Sequence, residues 1–148
     1  MADMAKKTMD VLLIEDNPGD VRLTQEALRE AQFATNLHVA KDGEQAITVL
    51  RNPTIHRRPD LVILDLNLPR RDGREVLAEI KADPELRRIP VVILTTSKAA
   101  ADIRAAYDLH ANCFITKAVD WERSRQIIES IKSFWLETVT LPAGEFNS

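Results

Sequence analysis

The sequence predicts an α/β fold in which parallel strands alternate with helices along the chain. Short apolar runs are separated by longer segments whose apolar residues recur at helical spacing. Residues 11–14, 61–64 and 91–94 are entirely apolar, which is typical of strands buried on both faces of a sheet. Two further runs, at residues 37–40 and 112–115, complete a set of five. The run at 37–40 alternates in the manner of a strand at or near a sheet edge.

Each predicted strand is followed by a predicted helix. Asn17 can cap the first helix, and Pro18 suits its first position. The later helices are expected at about residues 44–51, 74–82, 99–109 and from residue 120 onward. Five strand–helix units within about 125 residues form the flavodoxin-like, doubly wound pattern. We therefore expect a three-layer (βα)5 sandwich, a parallel sheet of order 2-1-3-4-5, right-handed crossovers and an extended fifth helix.

The bulk composition limits the class of protein. Hydrophobic residues make up 45% and charged residues 29% of the chain, an ordinary balance for one soluble globular domain. The net charge of −3 gives no basic excess, so no nucleic-acid partner is expected. The first apolar run is too short for a signal peptide or a membrane span, so we expect a cytoplasmic protein with no membrane partner.

Three segments are expected along the chain. Residues 1–9 read as a disordered, polar N-terminal lead. Residues 10–133 contain all five predicted strand–helix units and form the folded domain. Residues 134–148 form a C-terminal extension, after which no effector domain is expected.

Polar side chains follow four of the predicted strands, close to the point where each strand ends. Glu15 and Asp16 follow the first strand, Asp65 the third, Thr95 the fourth, and Lys117 lies just beyond the fifth. The carboxyl ends of parallel strands share one crevice, where open α/β sheets bind ligands. Each residue alone has an ordinary structural interpretation, such as an acidic helix start or a surface lysine. Their order at successive strand ends favours a functional site.

The three carboxylates of this set predict a metal site. Glu15, Asp16 and Asp65 would repel one another in one pocket, and a divalent cation removes that repulsion. Hard oxygen ligands favour Mg²⁺, or Mn²⁺ in its place. The backbone carbonyl of Asn67, two residues beyond Asp65, is a further candidate ligand.

The remaining side chains predict phosphoryl chemistry. A carboxylate beside Mg²⁺ is suited to attack phosphorus, and Asp65 would form an acyl phosphate. Lys117 would supply a positive charge to the phosphoryl oxygens, and the Thr95 hydroxyl would donate a hydrogen bond to them. Phosphoryl transfer asks little more of a protein than positioning and electrostatics. A haloacid-dehalogenase-type phosphatase also uses an aspartate nucleophile at a strand end, but it needs a second acid where Asn67 stands.

Four motifs around these residues carry a resemblance to a known family. They are Leu-Ile-Glu-Asp-Asn ending at Asn17, Leu-Asp-Leu-Asn-Leu-Pro ending at Pro69 with Gly73 beyond it, Leu-Thr-Thr-Ser beginning at Leu94, and Phe-Ile-Thr-Lys ending at Lys117. Over about residues 10–135 the chain resembles the receiver domain of bacterial two-component response regulators, the CheY-like family.

The resemblance implies roles for individual residues. A histidine kinase would phosphorylate Asp65, with Glu15, Asp16 and the Asn67 carbonyl on the metal side and Thr95 and Lys117 on the phosphoryl group. Phe114 would be a switch aromatic whose rotamer follows Thr95 on phosphorylation, although a plain core aromatic is the alternative. The protein would then be a signalling phosphoacceptor with intrinsic phosphotransfer and slow autodephosphorylation, and not an enzyme.

Two positions depart from the family pattern. Receivers usually have a proline after the lysine, joined by a cis bond, and here Ala118 follows Lys117. Either the loop holds a cis bond that costs about 2.5–4 kcal/mol, or the bond is trans and Lys117 is presented differently. Thr96 stands where Gly or Ala is frequent, and its bulk would narrow access to the phosphoryl group.

The C-terminal extension carries large apolar residues on more than one helix face. They are Phe134, Trp135, Leu136, Val139 and Leu141. Exposed apolar patches mark interfaces, so the first four are candidates for a dimer interface. The alternative is that the extension folds back onto its own domain. The sequence Asp-Asn-Pro-Gly-Asp at residues 16–20 and the Phe-Trp-Leu extension that ends in Leu-Pro also resemble single-domain response regulators that partner bacterial phytochromes. This resemblance implies a homodimer and a phytochrome as the kinase.

Two functions are compatible with this pattern. In the first, phosphorylation of Asp65 switches dimerisation or partner binding through Thr95 and Phe114. In the second, the protein is a phosphorelay intermediate or phosphate sink whose output is the phosphoryl group itself.

Overall fold

The computed structural model describes residues 8–30, 35–52 and 58–142. Within these ranges five strands form one parallel sheet. They are β1 (Met9–Ile14), β2 (Thr35–Ala40), β3 (Leu61–Leu64), β4 (Val91–Thr95) and β5 (Cys113–Thr116). The strands lie in the order β2-β1-β3-β4-β5, which confirms the predicted topology and places β2 at an edge. Strand order reverses between β1 and β3, and the crevice expected at such a point lies at their carboxyl ends.

Five α-helices alternate with these strands in the same ranges. They are α1 (Pro18–Arg29), α2 (Gly43–Leu50), α3 (Gly73–Ala82), α4 (Ala100–Asp108) and α5 (Trp121–Ile131). The side chain of Asn17 accepts a hydrogen bond from the Asp20 N–H and caps α1, as predicted. None of the helices in the described ranges combines the length and apolar character that a membrane span requires.

The first strand begins earlier than its apolar run. Met9 falls within the expected N-terminal lead, yet it is buried and pairs with Thr35 in the sheet. Backbone hydrogen bonding therefore starts β1 two residues before Val11, where the predicted strand begins. Residues 1–7 of the expected lead lie outside the described residues.

Helices cover both faces of the sheet. On one face, α1 and α5 pack their apolar residues against one set of strand side chains, which includes Val11 and Leu13. On the other face, α2, α3 and α4 pack against the alternate set, which includes Leu12 and Ile14. Because successive strand residues point to opposite faces, an uninterrupted apolar run supplies both cores at once. The predicted three-layer sandwich is confirmed.

The fifth helix continues as a π-helical segment, Lys132–Thr138. The predicted extension is therefore present, although its winding is wider than that of an α-helix. Leu136 is 6% exposed and belongs to the core shared by α1 and α5, and Trp135 packs against that core. Phe134, in contrast, is 52% exposed. The extension thus folds back in part, which removes Leu136 from the surface on which a dimer interface was expected.

Candidate phosphoacceptor and metal site

The sheet brings the predicted strand-end residues to one edge. The Asp65 N–H donates to the Ile14 carbonyl over 3.0 Å, so the ends of β3 and β1 are level. The Lys117 N–H donates to the Thr95 carbonyl over 2.7 Å, which aligns the ends of β5 and β4. Regular parallel pairing therefore delivers carboxylate, hydroxyl and ammonium groups to one crevice, although they are far apart in the sequence.

Three carboxylates at this edge form a group that can hold a metal ion. Glu15, Asp16 and Asp65 each offer an oxygen, and these oxygens lie within 4.8 Å of one another. Glu15 and Asp65 are buried, whereas Asp16 is exposed and opens the group to solvent. An all-carboxylate donor set with access to water suits Mg²⁺, which keeps several waters and prefers hard oxygen ligands. The residues present therefore fit the predicted cation.

Burial changes the titration of Glu15 in this group. Its side chain is 2% exposed, and this burial raises its pKa to about 7, although the hydrogen bond from Lys117 opposes the shift. The neighbouring charge of Asp65 acts in the same direction as burial. The charged form of Glu15 is therefore disfavoured by burial, and a cation beside it would stabilise that form.

Asn67 is bound to the site through its nitrogen atoms. Its backbone N–H donates to Asp65 Oδ1 over 3.0 Å, which fixes one carboxylate oxygen. Its side-chain Nδ2 donates to Thr95 Oγ1 over 3.3 Å, a link between the loops after β3 and β4 that the sequence did not indicate. A metal contact of the Asn67 carbonyl stays a prediction.

Lys117 lies at the centre of a set of carboxylates. Its Nζ atom is 2.8 Å from Glu15 Oε1, 2.8 Å from Asp20 Oδ2 and 3.0 Å from Asp65 Oδ2. Burial alone would lower the pKa of Lys117, but hydrogen bonds to Asp20 and Glu15 and the charges of Glu15 and Asp65 raise it above its ordinary value. The ammonium is therefore charged and directed at the predicted nucleophile.

Asp20 is a member of the site that sequence reasoning missed. Two signals were present: its place in the first turn of α1, four residues after Asp16, and its place at the end of the Asp-Asn-Pro-Gly-Asp motif. An acid there is usually explained by the positive end of the helix dipole. Only the structure shows that its carboxylate reaches Lys117.

The question raised by Ala118 is answered in favour of a trans bond. No peptide bond is cis anywhere in the described ranges, and these include the bond between Lys117 and Ala118. Lys117 nevertheless reaches Asp65, because its backbone N–H is anchored on the Thr95 carbonyl. The departure from the family pattern therefore does not displace the ammonium.

The two predicted switch residues lie on neighbouring strands. Thr95 is fully buried at the end of β4, and Phe114 is half-buried on β5, where it packs on the core under α2, α3 and α4. The Phe114 N–H donates to the hydroxyl of Tyr107 over 3.2 Å, which joins β5 to α4. Their positions agree with the switch interpretation, and the change itself stays a prediction.

The loop after Thr95 is held by a polar network. Ser97 Oγ donates to Asp102 Oδ2 over 2.6 Å, and Arg74 Nη2 lies 2.7 Å from Asp102 Oδ1. The Ser97 hydroxyl is thus engaged with the first turn of α4. This network connects the start of α3 to the start of α4 beside the site.

Comparisons with known proteins agree with this geometry. The family model for the response regulator receiver domain matches residues 11–129. Response regulator Rcp1 of Synechocystis sp. is 47% identical over 147 residues, which cover 97% of this chain and 100% of Rcp1.

Two solved structures are similar over nearly their whole length. The Mn²⁺-bound form of Rcp1 superposes with a TM-score of 0.89 at 48% identity, covering 91% of this chain and 99% of the other. The phosphorylated cyanobacterial phytochrome response regulator RcpA superposes with a TM-score of 0.90 at 48% identity, covering 93% and 100%. The family match, the relatives and the strand order lead to one conclusion: this chain belongs to the response regulator receiver domain family.

Proposed function

We propose that this response regulator accepts a phosphoryl group on Asp65 from a histidine kinase in a Mg²⁺-dependent reaction. One observation carries the proposal: the Asp65 carboxylate is shared between a three-carboxylate metal group and the Lys117 ammonium. Transfer of an anionic phosphoryl group requires positive charge on both sides of the oxygen that receives it. Here the metal group and the Lys117 ammonium would supply that charge around the Asp65 carboxylate.

The transfer step follows from this arrangement. An Asp65 oxygen attacks the phosphorus of the kinase's phosphohistidine, the P–N bond breaks, and the imidazole nitrogen leaves with its electron pair. Asp65 then carries a mixed carboxylic–phosphoric anhydride. Mg²⁺, when bound, offsets charge on the phosphoryl oxygens and on the acidic group. Lys117 holds the remaining oxygens, and Asn67 orients Asp65 through its N–H.

The signal would leave the site through Thr95 and Phe114. The Thr95 hydroxyl is buried and accepts a hydrogen bond from the Asn67 side chain. A phosphoryl group that takes the Thr95 hydroxyl as a donor would draw the Thr95 side chain towards Asp65, and the contact with Asn67 would shift with it. This movement would open space into which the ring of Phe114, on the adjacent strand β5, can turn. The outcome is a two-state switch at the α4–β5 surface.

We further propose a phytochrome as kinase partner and a homodimer as assembly state. The similarity to RcpA, described as a phytochrome response regulator, supports the partner. The exposed ring of Phe134 and the half-buried Val139 support an interface on the C-terminal extension, with Trp135 at its border. Leu136 supports the fold beneath this surface. Because a histidine kinase draws on ATP, the protein would act in the cytoplasm.

Mass spectrometry with acetyl phosphate and Mg²⁺ tests the phosphoacceptor. We expect one added phosphate that is stable in mild acid and labile in base, and none in Asp65→Asn. Asp108→Asn, which removes an exposed carboxylate at the far end of α4, is the matched control and should be phosphorylated normally. Full phosphorylation of Asp65→Asn would overturn the assignment.

Phosphotransfer profiling tests the partner. The purified phytochrome kinases and the other histidine kinases of the source genome are each labelled and offered to the protein for a short time. The fastest transfer is expected from a phytochrome kinase. Fast transfer from a different kinase would contradict the partnership, and rapid return of phosphate to a histidine protein without any change in self-association would favour a relay role.

A further inference from the structure

We propose that Asp20 is a positioning residue that holds the Lys117 ammonium against Asp65 during phosphoryl transfer. This inference rests on the proposed function of Asp65. Its starting point is the 2.8 Å ion pair between Asp20 Oδ2 and Lys117 Nζ, which joins α1 to the loop after β5 across 97 residues of sequence.

The backbone of Asp20 is fixed at both of its polar groups. Its N–H donates to Asn17 Oδ1 over 3.0 Å, and its carbonyl accepts a hydrogen bond from Thr24 Oγ1, also over 3.0 Å. The helix cap and the first turn of α1 therefore fix the position of the Asp20 Cα atom. An aspartate side chain has only two rotatable bonds, so a fixed backbone leaves its carboxylate few positions from which to contact Lys117.

Asp20 differs from the other two partners of Lys117. Glu15 and Asp65 belong to the carboxylate group that fits a metal ion, and Asp20 does not. A cation held by Glu15 and Asp65 would compete with the ammonium for their oxygens. Asp20, outside that group, would keep its ion pair with Lys117.

Packing alone does not hold the Lys117 side chain. A cavity of about 20 Å³ lies beside it, between apolar side chains such as Leu23, Leu94 and Ile127 and the hydroxyl-bearing Thr24 and Ser124. This space has room for about one water molecule, so no protein atom fills it. Ala118 packs only its single methyl group on the core shared by α1 and α5, and Val119 is exposed, so the loop that follows the lysine adds little other apolar contact. The location of the ammonium therefore depends on its ion pairs.

The expected consequence is a slower reaction when Asp20 is removed. Without this anchor, the ammonium is free to follow Glu15 or to turn towards solvent, and it no longer meets the phosphoryl oxygens with a fixed geometry. Positioning of this kind acts on the transition state, because the charge must be in place before it develops. An acid that only stabilised α1 through the helix dipole would change stability and leave the rate unchanged.

A double-mutant cycle separates these roles. The initial rate of phosphorylation by acetyl phosphate with Mg²⁺ is measured for the full chain, Asp20→Ala, Lys117→Ala and the double variant. We expect Asp20→Ala to slow the reaction about fivefold or more alone, and less than about twofold once Lys117 is absent. Equal effects in both backgrounds, no effect in either, or a faster reaction would overturn the proposal.

A direct measurement covers the case in which Lys117→Ala does not fold. The ammonium of Lys117 should give a slowly exchanging signal in ¹⁵N-edited NMR spectra of the full chain, because its protons are held by carboxylates. The signal should be lost in Asp20→Ala and retained in part in Asp20→Asn, which keeps an acceptor oxygen. An unchanged signal in Asp20→Ala would overturn the proposal.

Two controls complete the experiment. Glu26→Gln removes an exposed acid from the same helix and should leave the rate unchanged. Asp65→Asn distinguishes the two levels of the argument. If that variant is still phosphorylated, the proposed function fails; if it is not, and Asp20→Ala is as fast as the unmodified chain, only the positioning role fails.

Discussion

Lys117 Nζ lies 3.0 Å from Asp65 Oδ2, at a point where Glu15 and Asp20 also contact the same ammonium. One largely buried positive charge thus stands against three carboxylates, with the exposed Asp16 nearby. The site is short of positive charge, and a divalent cation is the natural complement. The predicted effects of Lys117 and Asp16 on stability and metal affinity follow from this imbalance of charge.

Removal of Lys117 should make stability depend on magnesium. Lys117→Met leaves buried carboxylates unpaired, so we expect the free energy of unfolding without metal to fall by about 3 kcal/mol. Saturating Mg²⁺ should recover most of this loss, because the cation replaces the missing charge. Urea denaturation with chelator and with Mg²⁺ measures both values. The same loss under both conditions would contradict the charge argument.

Asp16 should contribute to metal affinity with little effect on the fold. It is the exposed member of the carboxylate group, so Asp16→Asn removes a ligand charge without leaving a buried group unpaired. We expect the dissociation constant for Mg²⁺ to rise about tenfold or more, with an unchanged melting temperature. Isothermal titration calorimetry provides the constant. Asp108→Asn, at the exposed far end of α4, is the control. Equal affinities of the unmodified chain, Asp16→Asn and Asp108→Asn would argue against the proposed metal site.

Gly73 should tolerate no side chain, because α3 starts against the loop that carries Asp65. A Cβ at this position would collide with the Asp65 carbonyl oxygen and lie 2.6 Å from Leu66 Cα. We expect Gly73→Ala to destabilise the protein by about 2–3 kcal/mol through overpacking. Gly19→Ala is the matched control, since its nearest contact is a side-chain oxygen at 3.3 Å. Thermal denaturation of both variants measures the loss of stability. Equal stabilities would contradict the close approach of α3 to the backbone of Asp65 and Leu66.

Alanine substitution of Leu136 and of Phe134, both in the C-terminal extension, should affect different properties of the protein. Leu136→Ala removes a buried side chain and should cost about 2–5 kcal/mol of unfolding free energy without a direct effect on dimerisation. Phe134→Ala removes a half-exposed ring and should weaken self-association with little change in monomer stability. Light scattering over a concentration series, combined with urea denaturation, separates the two. A dimer unaffected by Phe134→Ala would rule out the proposed interface.

Much of the site could be predicted because it is built on strand ends. The apolar runs before Asp65 and Thr95 mark where each strand stops, and parallel strands must end at a common edge. Periodicity also located all five helices of the described ranges within one or two residues. The predicted start of the first strand at Val11 was two residues late, because backbone pairing with β2 begins at Met9.

Other features could not be predicted because they depend on where a helix turns relative to a distant loop. The Asp20 carboxylate contacts Lys117 only once α1 and the end of β5 are packed side by side. Likewise, Leu136 is buried on the π-helical continuation of α5. No local sequence pattern predicted this change in helical winding.

The fold class, the strand order and the five groups at the carboxyl edge could be predicted from the sequence, because hydrophobic periodicity and chain order indicate which residues end the strands. Three features became known from the three-dimensional structure alone. They are the sharing of the Lys117 ammonium by Glu15, Asp20 and Asp65, the trans bond after Lys117, and the exposure of individual apolar residues in the extension. These depend on distances of a few ångströms between segments remote in sequence. Such distances are set by packing and charge, and not by local pattern.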